Sequence, residues 1–260
     1  MKAELIRIAV FPIKSLDGVT VPSSNVMAGG GLAHDRRWRM VDQQGRTING
    51  KRTAAVHRVA ARFDVDRELV WLDQRGGSQP RVFHLVEERA AVQRRLSELV
   101  GIELTLEEDA RHGFPDDPDA SGPTVVSTAT LETVASWFNG LTLEQVRARF
   151  RTNLEIGGVP AFWEDQLVGD DDVEVPFAIG SLKLWGIKPC PRCIVPTRCA
   201  ETGEATIAFA PIFAKRREQT LPDFAPRSRF DNFYQLAINT RRRPPLEPCT
   251  VNVGDAVVRE

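Results

Sequence analysis

No stretch of the 260 residues approaches the ~18 consecutive apolar side chains that a membrane-spanning helix requires. The opening MKAELIRIAV places Glu4 and Arg7 inside its apolar segment, which is not the pattern of a secretory signal peptide, so a cytoplasmic protein without membrane association is expected. Net charge is also nearly absent. Lys plus Arg number 34 against 35 Asp plus Glu, giving a formal net charge of −1 and a pI near 6.5. That balance supplies no global field to draw in nucleic acid or anionic lipid, and any anion has to be bound locally. Cysteine is scarce: the four residues Cys190, Cys193, Cys199 and Cys249 all fall late in the chain, unlike a secreted disulfide framework. Internal repeats are lacking, and 42% hydrophobic residues exclude disorder as the main state. Lysine is rare as well, with six lysines against 28 arginines. Arginine's planar fork suits phosphate and carboxylate, although most of these positions read as surface.

What is present reads first as strands. Residues 3–12 alternate before Pro12, and VTVP (19–22), RRWRMVD (36–42), VHRVAARFDV (56–65) and LVWLD (69–73) follow at short spacing. A barrel or sandwich is expected to about residue 85. The period then changes to 3.6 in LVEERAAVQRRLSELVG, where Leu85, Ala90, Val92, Leu96 and Leu99 share a face and Gly101 stops the helix. The Pro- and Asp-rich segment 108–123 reads as a hinge, which divides the chain into residues 1–110 and 111–260. Beyond it, VVSTATLETVASWFNG predicts a strand and a helix capped at Ser127 or Thr128 and ending at Gly140, and TLEQVRARF adds further helical turns. Strands dominate from Arg151 onward. The fold class expected is a β-rich α+β protein.

Three segments carry the residue types of a ligand site. Lys14-Ser15 follows the first strand, with Arg36-Arg37 beside Asp35, and both offer donors to an anion. Taken singly, Lys14-Ser15 also fits solvated surface, and Arg36 with Asp35 an exposed ion pair. Arg149-Phe150-Arg151-Thr152-Asn153 combines guanidinium, hydroxyl and amide, the donors and acceptors a heterocycle requires, or else ends a helix with basic residues and an Asn turn. Lys188-Pro189-Cys190-Pro191-Arg192-Cys193 places two thiols among cations expected to lower a thiol pKa. Three chemistries fit this last motif. A zinc site lacks a second Cys-x-x-Cys pair, a dithiol pair lacks the βαβ context, and coordination of a cofactor-borne metal needs one thiolate only.

The succession FPIKS, HDRRW, FRTN, KPCPRC and ETGE resembles the MOSC superfamily preceded by its N-terminal β-barrel partner domain, over nearly the whole chain. It is similar in particular to the mitochondrial amidoxime-reducing component and its bacterial relatives, which reduce N-hydroxylated compounds at a molybdenum-pterin centre. The resemblance implies an N-terminal β-barrel domain, a MOSC domain with flanking helices, and a molybdenum cofactor (molybdopterin, Mo). It implies Cys193 as the catalytic thiolate and metal ligand, with Lys14, Ser15, Arg36, Ser121, Arg151 and Asn153 holding the cofactor between the two domains. Cys190 is read as a packed thiol beside the ligand. Leu16, Thr152, Pro191 and Cys199 depart from the residues common in relatives. A small N-hydroxylated or N-oxide substrate and a separate redox partner (flavoprotein, ferredoxin-like or b-type cytochrome) are the expected partners of a monomeric reductase. A carrier of cofactor or persulfide sulfur is the alternative.

Overall fold

In the computed structural model, which describes every residue except Met1, Asp172, Pro245 and Glu260, the alternating N-terminal segment forms β1 (Glu4–Val10) and buries Leu5, Ile8 and Val10. Short strands β2 (Val19–Val21) and β3 (Ser23–Asn25) follow, then β4 (Trp38–Asp42), β5 (Val59–Asp64), β6 (Leu69–Gln74) and β7 (Arg81–His84). Val56, His57 and Arg58, expected to begin a strand, belong instead to a 3₁₀ turn (Ala54–Arg58) capped by the Thr53 side chain, so that pairing starts at Val59. Helix α1 (Arg89–Val100) buries Val92, Leu96 and Val100 at intervals of four, with Val100 rather than Leu99 completing the buried row. Gly101 ends it at φ 73°, a conformation that suits glycine.

After β8 (Leu104–Glu108) and β9 (Val125–Ser127), helix α2 (Thr128–Ser136) starts at Ser127, whose hydroxyl accepts from Thr130 N at 3.1 Å. It ends before the expected Gly140, in successive turns through Trp137 and Phe138. Helix α3 (Leu143–Phe150) has a reciprocal capping box between Thr142 and Gln145. Strands β10 (Leu154–Gly157), β11 (Val175–Ile179) and β12 (Leu182–Pro191) lead to α4 (Phe209–Gln219), then β13 (Gln235–Arg241), β14 (Thr250–Asn252) and β15 (Val257–Arg259). Helix α4 was not expected. Its inward residues Phe209, Phe213 and Arg217 are spaced at four, and the arginine in that row breaks the apolar period.

Among the described residues, eight strands share one sheet in the order β15-β11-β12-β13-β9-β10-β1-β2, with β9 and β10 parallel. Smaller sheets pair β3 with β14, β4 with β8, and β5-β6-β7. One apolar core runs from Ile13 to Leu106 and includes Trp38, Met40 and Leu72. Another joins Leu5, Ile8 and Val10 to Ile156, Leu184 and Ile238. The large sheet therefore crosses the sequence boundary at residue 110. Leu5 opposite Ile156 and Ile8 opposite Leu154 bury both strands on one face, which draws the N-terminal strand into the later core. The chain is a β-rich α+β protein, as its strand and helix patterning predicted.

Candidate active site

The loop after β1 is pinned by backbone bonds from Lys14 N to Trp38 O (2.8 Å), Trp38 N to Pro12 O (3.0 Å) and Arg36 N to Phe11 O (2.9 Å). These bonds bring Lys14-Ser15 and Arg36 to one edge of the large sheet. Helix α3 delivers Arg151 to the same edge, in the left-handed conformation that closes its C-terminus. Ser15, Arg36 and Arg151 all have positive φ, at 77°, 50° and 53°. Such strain in non-glycine residues is held only by surrounding structure and concentrates at functional sites.

The cysteine motif was expected to follow its strand. Instead β12 continues through Pro191, with register shifts between Gly186 and Lys188 and between Pro189 and Pro191. Strand β11 reaches only to Gly186, so both prolines lie where β12 has β13 on one side alone, and bulges absorb the missing N–H donors. Arg192 then ties the motif down, donating to Leu236 O and Phe150 O at 3.0 Å each.

These elements enclose a cleft made of two adjoining cavities of about 170 and 380 Å³. Lys14, Ser15 and Cys193 line the first, Ser121 and Asn153 the second, and Arg36 and Arg151 both. All seven residues singled out in the sequence thus face one continuous cleft, which is lined by residues from both sides of position 110. Their commitments differ. Lys14 Nζ donates to Phe114 O at 2.9 Å and pairs with Asp116 at 2.9 Å. Arg36 is no exposed pair: its side chain and that of Asp35 are 14% and 11% exposed, and they bond each other. Asn153 donates Nδ2 to Ala9 O and accepts at Oδ1 from Thr124, so its amide is engaged within the fold while it lines the cavity. Ser121 Oγ donates to Gly29 O at 2.6 Å.

The cleft carries an excess of positive charge. Nine Lys and Arg line it (Lys14, Arg36, Lys51, Arg75, Arg149, Arg151, Lys188, Arg192, Arg198) against Asp17, Asp35, Asp116 and Asp117 among the described residues. Arg36 and Arg151 both lie over the Phe11 ring, at 5.2 and 4.2 Å from its centroid. Burial, aided by the charge of Arg36, lowers the Arg151 guanidinium to about 10, which leaves it ionised at neutral pH. Burial opposes ionisation of Asp116, yet Lys14 and Arg36 outweigh it and hold that carboxyl at about 2. The expectation that nearby cations lower the motif's thiol pKa is reversed at Cys190. Burial is the largest influence there and pushes it up, with Arg192 only partly compensating. Lys188 is drawn away to Asp117 at 2.7 Å.

Cys190 lines both cavities and Cys193 the first. No group of three or more His, Cys, Asp or Glu is gathered as for a metal among the described residues. The donor set therefore fits a group that brings its own ligands, takes one soft thiolate and carries negative charge. Sequence reasoning passed over Asp116, whose segment reads as a hinge, and over His57, Arg75 and Arg198, which no motif marks.

The profile of the MOSC N-terminal beta barrel domain matches residues 2–141, more than half of the chain. The YUAD protein from Bacillus subtilis, a solved structure, aligns with 99% of this chain and 94% of that chain, at 10% identity and a TM-score of 0.38. That likeness is too weak to bear on function. No curated protein matched. With a family match over more than half its length, the chain belongs to the MOSC family, as a protein with the MOSC N-terminal beta barrel domain.

Proposed function

We propose that this protein is a molybdenum cofactor-dependent reductase of N-hydroxylated or N-oxide compounds, supplied with electrons by a separate redox protein. The observation that carries the reading is the union, in one cationic cleft, of Cys193 with Lys14, Arg36 and Arg151. Cys193 is the thiolate that would bind the metal. Lys14, Arg36 and Arg151 would neutralise the phosphate of the pterin, with Phe11 beneath the two guanidinium groups. When bound, the cofactor supplies two-electron oxygen-atom transfer, and the chain supplies position and electrostatics. Overall, an N–OH compound takes up two electrons and two protons and leaves as the N–H compound and water. Cytoplasmic location and a monomeric state belong to the same proposal.

The test is elemental analysis and pterin release from purified protein, together with amidoxime reduction by reduced viologen. The expected result is molybdenum and pterin in the wild type and loss of activity in Cys193→Ala, with activity retained in Cys190→Ser. Zinc at near-stoichiometric level, with equal loss in both variants, would overturn the reading. Molybdenum and pterin without turnover would favour a carrier.

A further inference from the structure

We propose that the end of the first cavity, between the Asn49–Lys51 turn and residues 195–200, is a carboxylate subsite, so that the substrate class is N-hydroxylated compounds bearing an acidic group. This deepens the reductase reading and rests on it. The acids at this cavity are already satisfied. Asp17 accepts from Arg75 Nη2 through both oxygens at 2.8 Å and from Ala61 N at 2.9 Å. Asp116 is paired with Lys14 at 2.9 Å. Among the described residues, no carboxylate lies within ion-pair distance of Lys51 or Arg198, although the charge of Lys51 also reaches Asp116. Arg198 donates Nη1 to Gly50 O at 3.1 Å and has no acidic partner among the described residues. The backbone N–H of Lys51 is engaged by Asn49 Oδ1 at 3.0 Å, and among the described residues its Nζ makes no hydrogen bond or ion pair, its charge acting on Asp116 only at longer range.

Between these cations lies apolar surface from Val56, Val59, Val195 and Pro196, suited to a ring or alkyl body. His57 stands at the same end. Its Nδ1 lies 3.3 Å from Ala200 O, and its Nε2 is buried without a partner among the described residues. With Nδ1–H donating to that carbonyl, Nε2 is left as an acceptor for a substrate N–H or O–H. Burial first, then Arg198, Arg75 and Arg151, lower its pKa and favour this neutral form. Lys14 and Arg36 are already paired with Asp116 and Asp35, whereas Lys51 and Arg198 have no ion-pair partner among the described residues and remain as charge for an anionic group of the ligand. Cys193, Lys51 and Arg198 line the same cavity, so a bound acid would present its N–OH group and its carboxylate to one shared lining.

The test compares benzamidoxime with 4-carboxybenzamidoxime, using reduced viologen as donor, in wild type, Lys51→Met and Arg198→Gln. A charge-assisted contact on a partly exposed site predicts about tenfold higher kcat/KM for the carboxylated substrate in wild type, expressed through KM and shrinking with salt. Both variants should lose most of that preference. Equal kcat/KM for the two substrates in wild type, or equal loss on both substrates in the variants, would overturn the subsite while leaving the reductase standing. If neither substrate turns over, calorimetric titration with 4-carboxybenzamidine and benzamidine decides. Carboxylate-selective binding lost in Arg198→Gln upholds the subsite and counts against the reductase, whereas absence of binding overturns both.

Discussion

Arg36 and Arg151 repel each other across the Phe11 ring, and Arg151 has no carboxylate within bonding distance among the described residues. An anion seated between them relieves that repulsion and binds only the folded state. Inorganic phosphate in excess should therefore raise the Tm of the wild-type protein, by scanning calorimetry, and leave that of Arg36→Ala/Arg151→Ala unmoved; an equal rise in both would place the anion elsewhere. A second residue-scale consequence lies away from the cleft. Glu164 and Asp165 are buried neighbours, the latter paired with Arg217 at 2.5 Å. Burial, reinforced by Asp165, pushes the Glu164 carboxyl up to about 7, whereas unfolding returns it near 4.5. The folded state then holds a proton the unfolded state releases, so this group's contribution to stability is full below about pH 4.5 and is lost as pH rises through 7. Glu164→Gln should match the wild type near pH 5 and exceed it at pH 8 by about 2 kcal/mol in denaturant unfolding.

At the scale of the element, β12 determines where the thiols stand, and one residue lets it pack. A Cβ on Gly186 would lie 1.8 Å from Leu167 O, a backbone atom that cannot swing aside. Gly186→Ala should thus destabilise by more than about 3 kcal/mol, in the range of severe overpacking. A Tm within two or three degrees of wild type would show that the 163–167 turn yields. The bulges of β12 were not legible from KPCPRC, because the prolines suggest a loop until β13 is seen to pair with them through Ile238 and Gln235. Helix α4 escaped for a related reason. Arg217 occupies a core position, where Phe162 and Phe230 flank its guanidinium at 4.3 and 4.7 Å and Asp165 neutralises it, and none of these partners is near in sequence.

Over the whole molecule, the sheet joins what the sequence divides. Strand β1 hydrogen-bonds to β10 and gives Leu5, Ile8 and Val10 to the core of the later residues. A fragment of residues 111–260 should accordingly fail to unfold cooperatively and should be digested rapidly by protease, while the full chain resists. A fragment with a sharp thermal transition equal to that of the full chain would show that β1 is dispensable to that core.

The chain's own order of residues determined the β-rich class and the cap of α2, because period and turn chemistry are properties of neighbours along the backbone, while the candidates from Lys14 to Cys193 rest on the resemblance its motifs carry. It also determined that any anion must be held locally, since 34 basic and 35 acidic residues cancel. Only the tertiary structure decided that nine cations collect in one cleft against four aspartates. It alone engaged the Asn153 amide with Ala9 and Thr124, raised the Cys190 thiol by burial, and brought His57, Arg75 and Arg198 to the cavity. Burial and long-range pairing are set by which surfaces the strands press together, and no local pattern encodes that.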